Sequence, residues 1–313
     1  MRILFIAFTL FVHLFGYDTF EIKSSLKNFN SAPFTFYFPQ ANNSFTSEDI
    51  LTLHNLTQLQ KNGQLPNLLG PFWSRFEIKN TTDKTKHLIL NNILPGTNYI
   101  DVYIYKNNIL EKKYLLGDMR AQSTKELLGR YSMFELNLAK DETFTIISKV
   151  DNFNVTNLSW IINQNNFFII DESKDFIIFG LVGGFFLLFS ILNFILYVIY
   201  RVSAYLTIAL HTLGLLFYIL ALQGILYTLN IGINLTLLTY TAWVGPSITT
   251  ILFLIFTNQF FSMRERYKKF YYVMIGLIGL HTFVILIMSY AVLVDPAYSK
   301  YSTLTGISII TNS

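Results

Sequence analysis

Apolar residues recur along this chain with two different periods. From Tyr17 to Asp175 they alternate mainly with period two, in short runs broken by Asn, Gly, Pro and Asp, the pattern of antiparallel strands that bury one face. Phe34, Phe36 and Phe38 fall on one side, with Thr35 and Tyr37 on the other. The same alternation holds at Phe72, Phe76 and Ile78, at Ile100, Val102 and Ile104, at Phe134, Leu136 and Leu138, and at Phe144, Ile146 and Val150. The stretch Ser47 to Gln60 differs: Ser47 is placed to cap a helix with Asp49 in its first turn. From Phe176 the alternation gives way to four long uncharged runs, over 176–200, 203–229, 235–261 and 270–294, each long enough to cross a ~30 Å hydrocarbon core as a helix. The prediction is a mixed chain: an all-β jelly-roll sandwich of about eight strands over 17–170, then an α-helical transmembrane bundle over 176–313.

The two ends add expectations of their own. Met1 and Arg2 followed by the apolar run Ile3 to Phe15 have the layout of a secretory signal, so residues 1–16 are read as a cleaved leader, with a retained anchor as the alternative. At the other end, residues 300–313 resume an apolar pattern but are too few to cross a bilayer at ~1.5 Å per residue, and they are read as an incomplete fifth span.

Composition sharpens this division. The chain is 52% apolar and 13% charged, with 23 Lys and Arg and 19 Asp and Glu, and only eight of those charges lie beyond Asp175. Arg201 and the segment Arg264-Glu265-Arg266-Tyr267-Lys268-Lys269 fall in the two connections that become cytoplasmic if the first domain is exported, as the positive-inside rule requires. Loop cations thus account for much of the net charge of +4, and nucleic-acid binding is not expected. With no cysteine, disulfides and thiolate chemistry are excluded. The abundance of Phe, Ile, Asn, Lys and Tyr is what AT-rich codons favour, which points to a bacterial inner-membrane protein with a periplasmic first domain.

The chain carries no Walker-type phosphate loop, no pair of histidines at metal-ligand spacing and no Gly-x-Ser-x-Gly elbow. No enzyme activity, metal or cofactor is expected. A binding surface is a different matter. The residues facing away from the expected core include Trp73, Arg75, Glu77 and Lys79 in one strand and Tyr99, Asp101, Tyr103 and Tyr105 in another. Rings that stack on sugar or ring faces, beside groups that set orientation, make Trp73, Arg75, Tyr99, Asp101 and Tyr103 a candidate ligand platform. The competing explanation is that strands favour aromatics and these pack under a loop or a second sheet. Within the spans, Asn193, His211 and His281 are the polar candidates, with Pro246 as a kink; Asn193 and His211 lie at similar depth, where they would serve a switch or simple interhelical hydrogen bonding. Gly180, Gly183 and Gly184 are read as allowing close helix packing.

Taken together, Trp73-Ser74-Arg75-Phe76-Glu77-Ile78-Lys79-Asn80, Gly117-Asp118, and Arg130 with Phe134, Glu135, Leu136 and Leu138 resemble the periplasmic sensor domain of bacterial seven-transmembrane receptors with diverse intracellular signalling modules. The resemblance covers about residues 18 to 160 and continues into the spans. It implies a jelly roll akin to carbohydrate-binding modules, seven spans and a cytoplasmic effector. The expected function is a membrane sensory receptor for a small or carbohydrate-like ligand. Because no effector follows the spans, a truncated form is expected, or one that depends on a receptor oligomer or a separate cytoplasmic signalling protein. The alternatives are a transporter fragment and an inert or dominant-negative partner of a full-length receptor.

Overall fold

The computed structural model describes residues 18–39, 45–54, 56–59, 64–65, 71–152, 156–229 and 235–293. The expected leader and the incomplete fifth span lie outside them. The chain forms two compact units, divided between Phe168 and Ile169.

The first unit contains strands β1 (Thr19–Ile22), β2 (Phe29–Asn30) and β3 (Phe36–Pro39), helix α1 (Ser47–Thr52), and strands β4 (Thr57–Gln58), β5 (Gln64–Leu65), β6 (Phe72–Asn80), β7 (Lys86–Asn92), β8 (Tyr99–Lys106), β9 (Ile109–Leu116), β10 (Met133–Leu138), β11 (Thr143–Asp151), β12 (Thr156–Asn157) and β13 (Trp160–Gln164). A seven-stranded sheet runs β4-β3-β6-β11-β8-β9, with β1 parallel to the far half of β6; a four-stranded sheet runs β10-β7-β13-β2. The pairing of β1 with Glu77 to Asn80 and of β3 with Phe72 to Arg75 lets two short strands share one edge of β6.

The core between these sheets contains the predicted residues of four strands, joined by Leu88, Leu90, Trp160 and Ile162, which the alternation had not singled out. Phe72, Phe76, Ile78, Ile100, Val102, Ile104, Phe144, Ile146 and Val150 pack with Leu88, Leu90, Phe134, Leu136, Leu138, Trp160 and Ile162. Each such side chain, fully buried, contributes about 1.5–3 kcal/mol. Trp160 meets Phe134 edge-on at 4.9 Å, and its indole N–H donates to Ser148 Oγ at 3.3 Å, so the largest core residue keeps a hydrogen bond. The β8–β9 hairpin turns on Asn107 and Asn108, both at positive φ (49° and 63°), as a two-residue turn matched to strand twist requires.

Two expectations change here. Phe34 closes a 3₁₀ turn (Ala32–Phe34), which shifts the start of β3, and Tyr37 packs on the main core while Phe38 lies on the opposite face. The register explains it: Tyr37 pairs with inward Ser74 and Phe38 with outward Trp73. Helix α1 stops at Thr52 and is capped by Thr46 rather than Ser47, through a reciprocal box in which Asp49 N–H donates to Thr46 Oγ1 and Thr46 N–H donates to Asp49 Oδ2.

The second unit is helical: α2 (Asn165–Tyr200), α3 (Ser203–Leu222), α4 (Ile225–Thr228), α5 (Leu235–Phe261), α6 (Met263–Arg266) and α7 (Lys268–Leu293). Four of these are long and apolar enough to cross a membrane. The first begins eleven residues before the uncharged run, carrying Asp171, Glu172, Lys174 and Asp175 on its opening turns. The second is shorter than read from hydropathy, because Gly224 at φ 73° breaks it after Leu222. Helix α5 is central, packed against α3 and α7. Its close contacts fall at Gly245, where an added Cβ would lie 3.0 Å from the Tyr218 ring, and opposite Gly214, which faces a Thr249 methyl. Gly183 approaches Leu216, but a Cβ at Gly180 or Gly184 would meet nothing within 4 Å, so close packing falls elsewhere than expected.

Candidate ligand-binding face

The outward side of the large sheet is a lattice of side chains set by register. Phe38, Trp73, Lys149, Asp101 and Leu115 form one row across β3, β6, β11, β8 and β9; Phe36, Arg75, Ile147, Tyr103 and Lys113 form the next. Direct neighbours in such rows lie within side-chain reach, so the face acts as one surface.

Helix α1 roofs part of it. Ile50, fully buried, packs with Trp73, Tyr105 and Ile147. Ser47 and Tyr105 hydroxyls meet at 2.8 Å, and the Arg75 guanidinium donates to Leu51 O at 2.6 Å and to Glu77 at 2.8 Å. Trp73 is therefore 2% exposed, and Arg75 sits at the base of the roof.

Beyond the roof the face is open. Tyr99, Asp101 and Tyr103 are partly exposed on β8. Arg120 donates to the Asp101 carboxylate and to the carbonyls of Ile100 (3.0 Å) and Leu116 (3.1 Å), while its guanidinium lies 5.6 Å from the Tyr99 ring centre. Two more cations border the aromatics: Lys113 Nζ stands 4.9 Å from the Tyr103 ring and Lys149 Nζ 5.5 Å from the Trp73 ring. The two rings are tilted neighbours at 6.0 Å. Near the rim, burial lowers the Lys125 pKa from its ordinary value; Asp118 opposes that shift and Arg120 adds to it. Thus Tyr99, Asp101 and Tyr103 share the open surface, and Trp73 and Arg75 lie under α1.

Arg120, Lys113 and Lys149 were not singled out from sequence. Alternation alone places Lys149 outward, opposite core-facing Ile146 and Val150. Arg120 required knowing that the chain after β9 folds back over the β8–β9 pair. Asn80 and Gly117-Asp118, which carry the family resemblance, prove to be corner residues. The Asn80 amide donates to Lys84, Leu138 and Ala139 carbonyls. Gly117, at φ 123°, passes so close to Asn98 that a Cβ would fall 2.1 Å from its carbonyl oxygen, and the Asn98 amide donates to Asp118 at 3.0 Å.

Within the spans, the polar candidates serve different neighbours. Asn193 donates to Phe189 O in its own helix at 2.8 Å. His211 on α3 donates through Nδ1 to Thr249 O on α5 at 2.9 Å, and His281 on α7 meets Ser247 Oγ on α5 at 3.3 Å. Asn193 and His211 are not joined; instead the two histidines grip α5 from opposite neighbours just past Pro246. The helix continues through Pro246, whose carbonyl accepts from Thr249 and Thr250 hydroxyls.

Two family models match in tandem: 7TMR-DISM extracellular 2 over residues 32–163, and 7TM diverse intracellular signalling over residues 175–312. The chain belongs to the 7TMR-DISM receptor family. It is a membrane protein with the domains of a sensory receptor for signalling, and the resemblance seen in Trp73 to Asn80, Gly117-Asp118 and Arg130 is borne out. No curated protein matches. Among solved structures, a beta-glucosidase from Kluyveromyces marxianus in complex with glucose is similar over 41% of this chain at 9% identity and TM-score 0.21; the chain spans 15% of that enzyme.

Proposed function

We propose that this 7TMR-DISM protein is a bacterial inner-membrane receptor whose sandwich faces the periplasm and binds a small ring-bearing ligand of carbohydrate type on the open part of the large sheet. Tyr103 and Tyr99 supply flat apolar faces, and the Asp101–Arg120 pair offers acceptor and donor groups held by backbone carbonyls. Such a mixture of rings with a few fixed polar groups is the usual composition of a small-molecule site. The observation that carries the reading is this half-roofed face on a domain matched as the extracellular part of a receptor. The protein acts by binding rather than by catalysis, and its partners are the ligand, lipid, and a receptor oligomer or separate cytoplasmic signalling protein.

Occupancy has a covalent route inward, because β13 ends at Gln164 and α2 starts at Asn165. A ligand that favours one of two arrangements of the sandwich shifts the population by its differential affinity. The test is calorimetric titration of the full chain in lipid nanodiscs with glucose, galactose, N-acetylglucosamine and galacturonate. Binding of at least one, lost in Tyr103→Ala with thermal unfolding unchanged, supports the reading. Binding indifferent to Tyr103→Ala, or none by any of the four, counts against it.

A further inference from the structure

The aromatic pair at the edge of the roof is bracketed by positive charge that the protein leaves unneutralised. Arg75 has Glu77 and Arg120 has Asp101. Lys113 and Lys149, by contrast, form no ion pair among the described residues; their recorded contacts are with the rings of Tyr103 and Trp73. This is not for want of a neighbouring carboxylate. Lys149 sits directly opposite Asp101 in the β11–β8 ladder, yet Asp101 is turned to Arg120. The β9 side offers the contrasting case: Lys112, one residue before Lys113, bonds Glu126 at 2.7 Å.

Two ammonium groups beside one aromatic pair, with Asp101 already engaged by Arg120, create a local positive potential. A neutral sugar would use the Tyr103 ring and leave both ammonium groups without a counter-charge. A ring carrying an anionic group would use ring and charges together, as charge-assisted hydrogen bonds are the stronger kind. We infer that the ligand is an anionic saccharide or a similarly sized ring acid, its ring against Tyr103 and its negative group between Lys113 and Lys149. This rests on the binding face proposed above and names the class of ligand it takes. A carboxylate and a sulfate ester both satisfy the chemistry, so the source of the charge is left to the experiment's arms.

Galactose, galacturonate and a sulfated galactose are titrated into the full chain in nanodiscs at low and high NaCl, with Lys113→Gln/Lys149→Gln in parallel. At least one charged sugar should bind about tenfold or more tighter than galactose, a difference of ~1.4 kcal/mol, and the preference should shrink with salt. The double variant should melt normally and bind all three sugars alike. Which charged sugar wins identifies carboxylate or sulfate. Equal affinity for galactose and both charged sugars overturns the inference, as does a preference that survives in the double variant. Galactose binding that is lost in Tyr103→Ala without any charge preference leaves the binding face standing and removes only the anionic ligand. Failure of all three sugars to bind at up to ~10 mM removes the anionic ligand, and removes the binding face as well when glucose and N-acetylglucosamine also fail to bind.

Discussion

At the scale of single residues, the structure separates side chains that hold the sheet from side chains that present it. Trp73 and Tyr103 look equivalent in the sequence, each aromatic and each outward, yet one is 2% exposed beneath Ile50 and the other remains partly open. Trp73→Ala should therefore cost about 3–5 kcal/mol, the usual loss for truncating a buried aromatic, measured as a fall in the melting temperature of the full chain. Tyr103→Ala should shift it far less. Gly117 makes a sharper case. Its φ of 123° is strained for any L side chain, and a Cβ would collide with Asn98 backbone, so Gly117→Ala should lose at least ~2 kcal/mol by the same melt. A melt equal to that of the parent protein would show that the β9 exit can be rebuilt. Gly117 was visible in the sequence as a motif residue, but its reason was not, because the contact with Asn98 depends on the register of the β8–β9 hairpin.

At the scale of elements, β6, β8, β10 and β11 were legible because burial on one face imposes alternation, whereas β7, β9 and β13, also five residues or longer, do not alternate and were not read from the sequence. Short elements were not legible either, since four residues cannot establish a period: Tyr37 of β3 faces the core where Phe36 and Phe38 had been assigned to it. Helix α1 is shorter still, and its stability lies in its cap. The Asp49 carboxyl is held below its ordinary pKa by the Thr46 backbone N–H first and the Thr46 hydroxyl second. A depressed folded-state pKa means stabilisation that is present above the unfolded value of about 3.9 and lost as pH falls through the folded value. Acidification below pH ~4 should then loosen the roof over Trp73, read as a red shift in the emission difference between the protein and Trp73→Phe. Thr46→Ala should produce the same shift near neutral pH, at a cost of about 0.5–2 kcal/mol. An emission difference that ignores both changes would mean that the sheet, not the cap, holds α1 in place.

At the scale of the whole molecule, the switch from period two to unbroken apolar runs announced a membrane protein, and helices long and apolar enough to cross a bilayer answer each of the four runs. What hydropathy could not supply is how the spans recognise one another. In lipid that falls to small residues and polar contacts, here Gly214 and Gly245 at close approaches, Thr207 bonded to Gln259 at 2.8 Å, and the two histidines on α5. None of these follows from a hydropathy window, because each depends on which helix stands opposite. The sensing hypothesis also requires a sidedness: the sandwich outside, Arg201 and Arg264 to Lys269 inside, the latter group following the helix break at Ser262. Since the chain has no cysteine, single substitutions report this directly. Lys140→Cys replaces an exposed lysine at the β10–β11 turn, and Arg264→Cys an exposed arginine between the third and fourth spanning helices. In cells with only the outer membrane permeabilised, a membrane-impermeant maleimide should label Lys140→Cys and leave Arg264→Cys unlabelled until the inner membrane is breached. The opposite pattern would place the Tyr103 face in the cytoplasm, where it could meet only an internal ligand, and the receptor would have to report on the cell's interior instead of its surroundings.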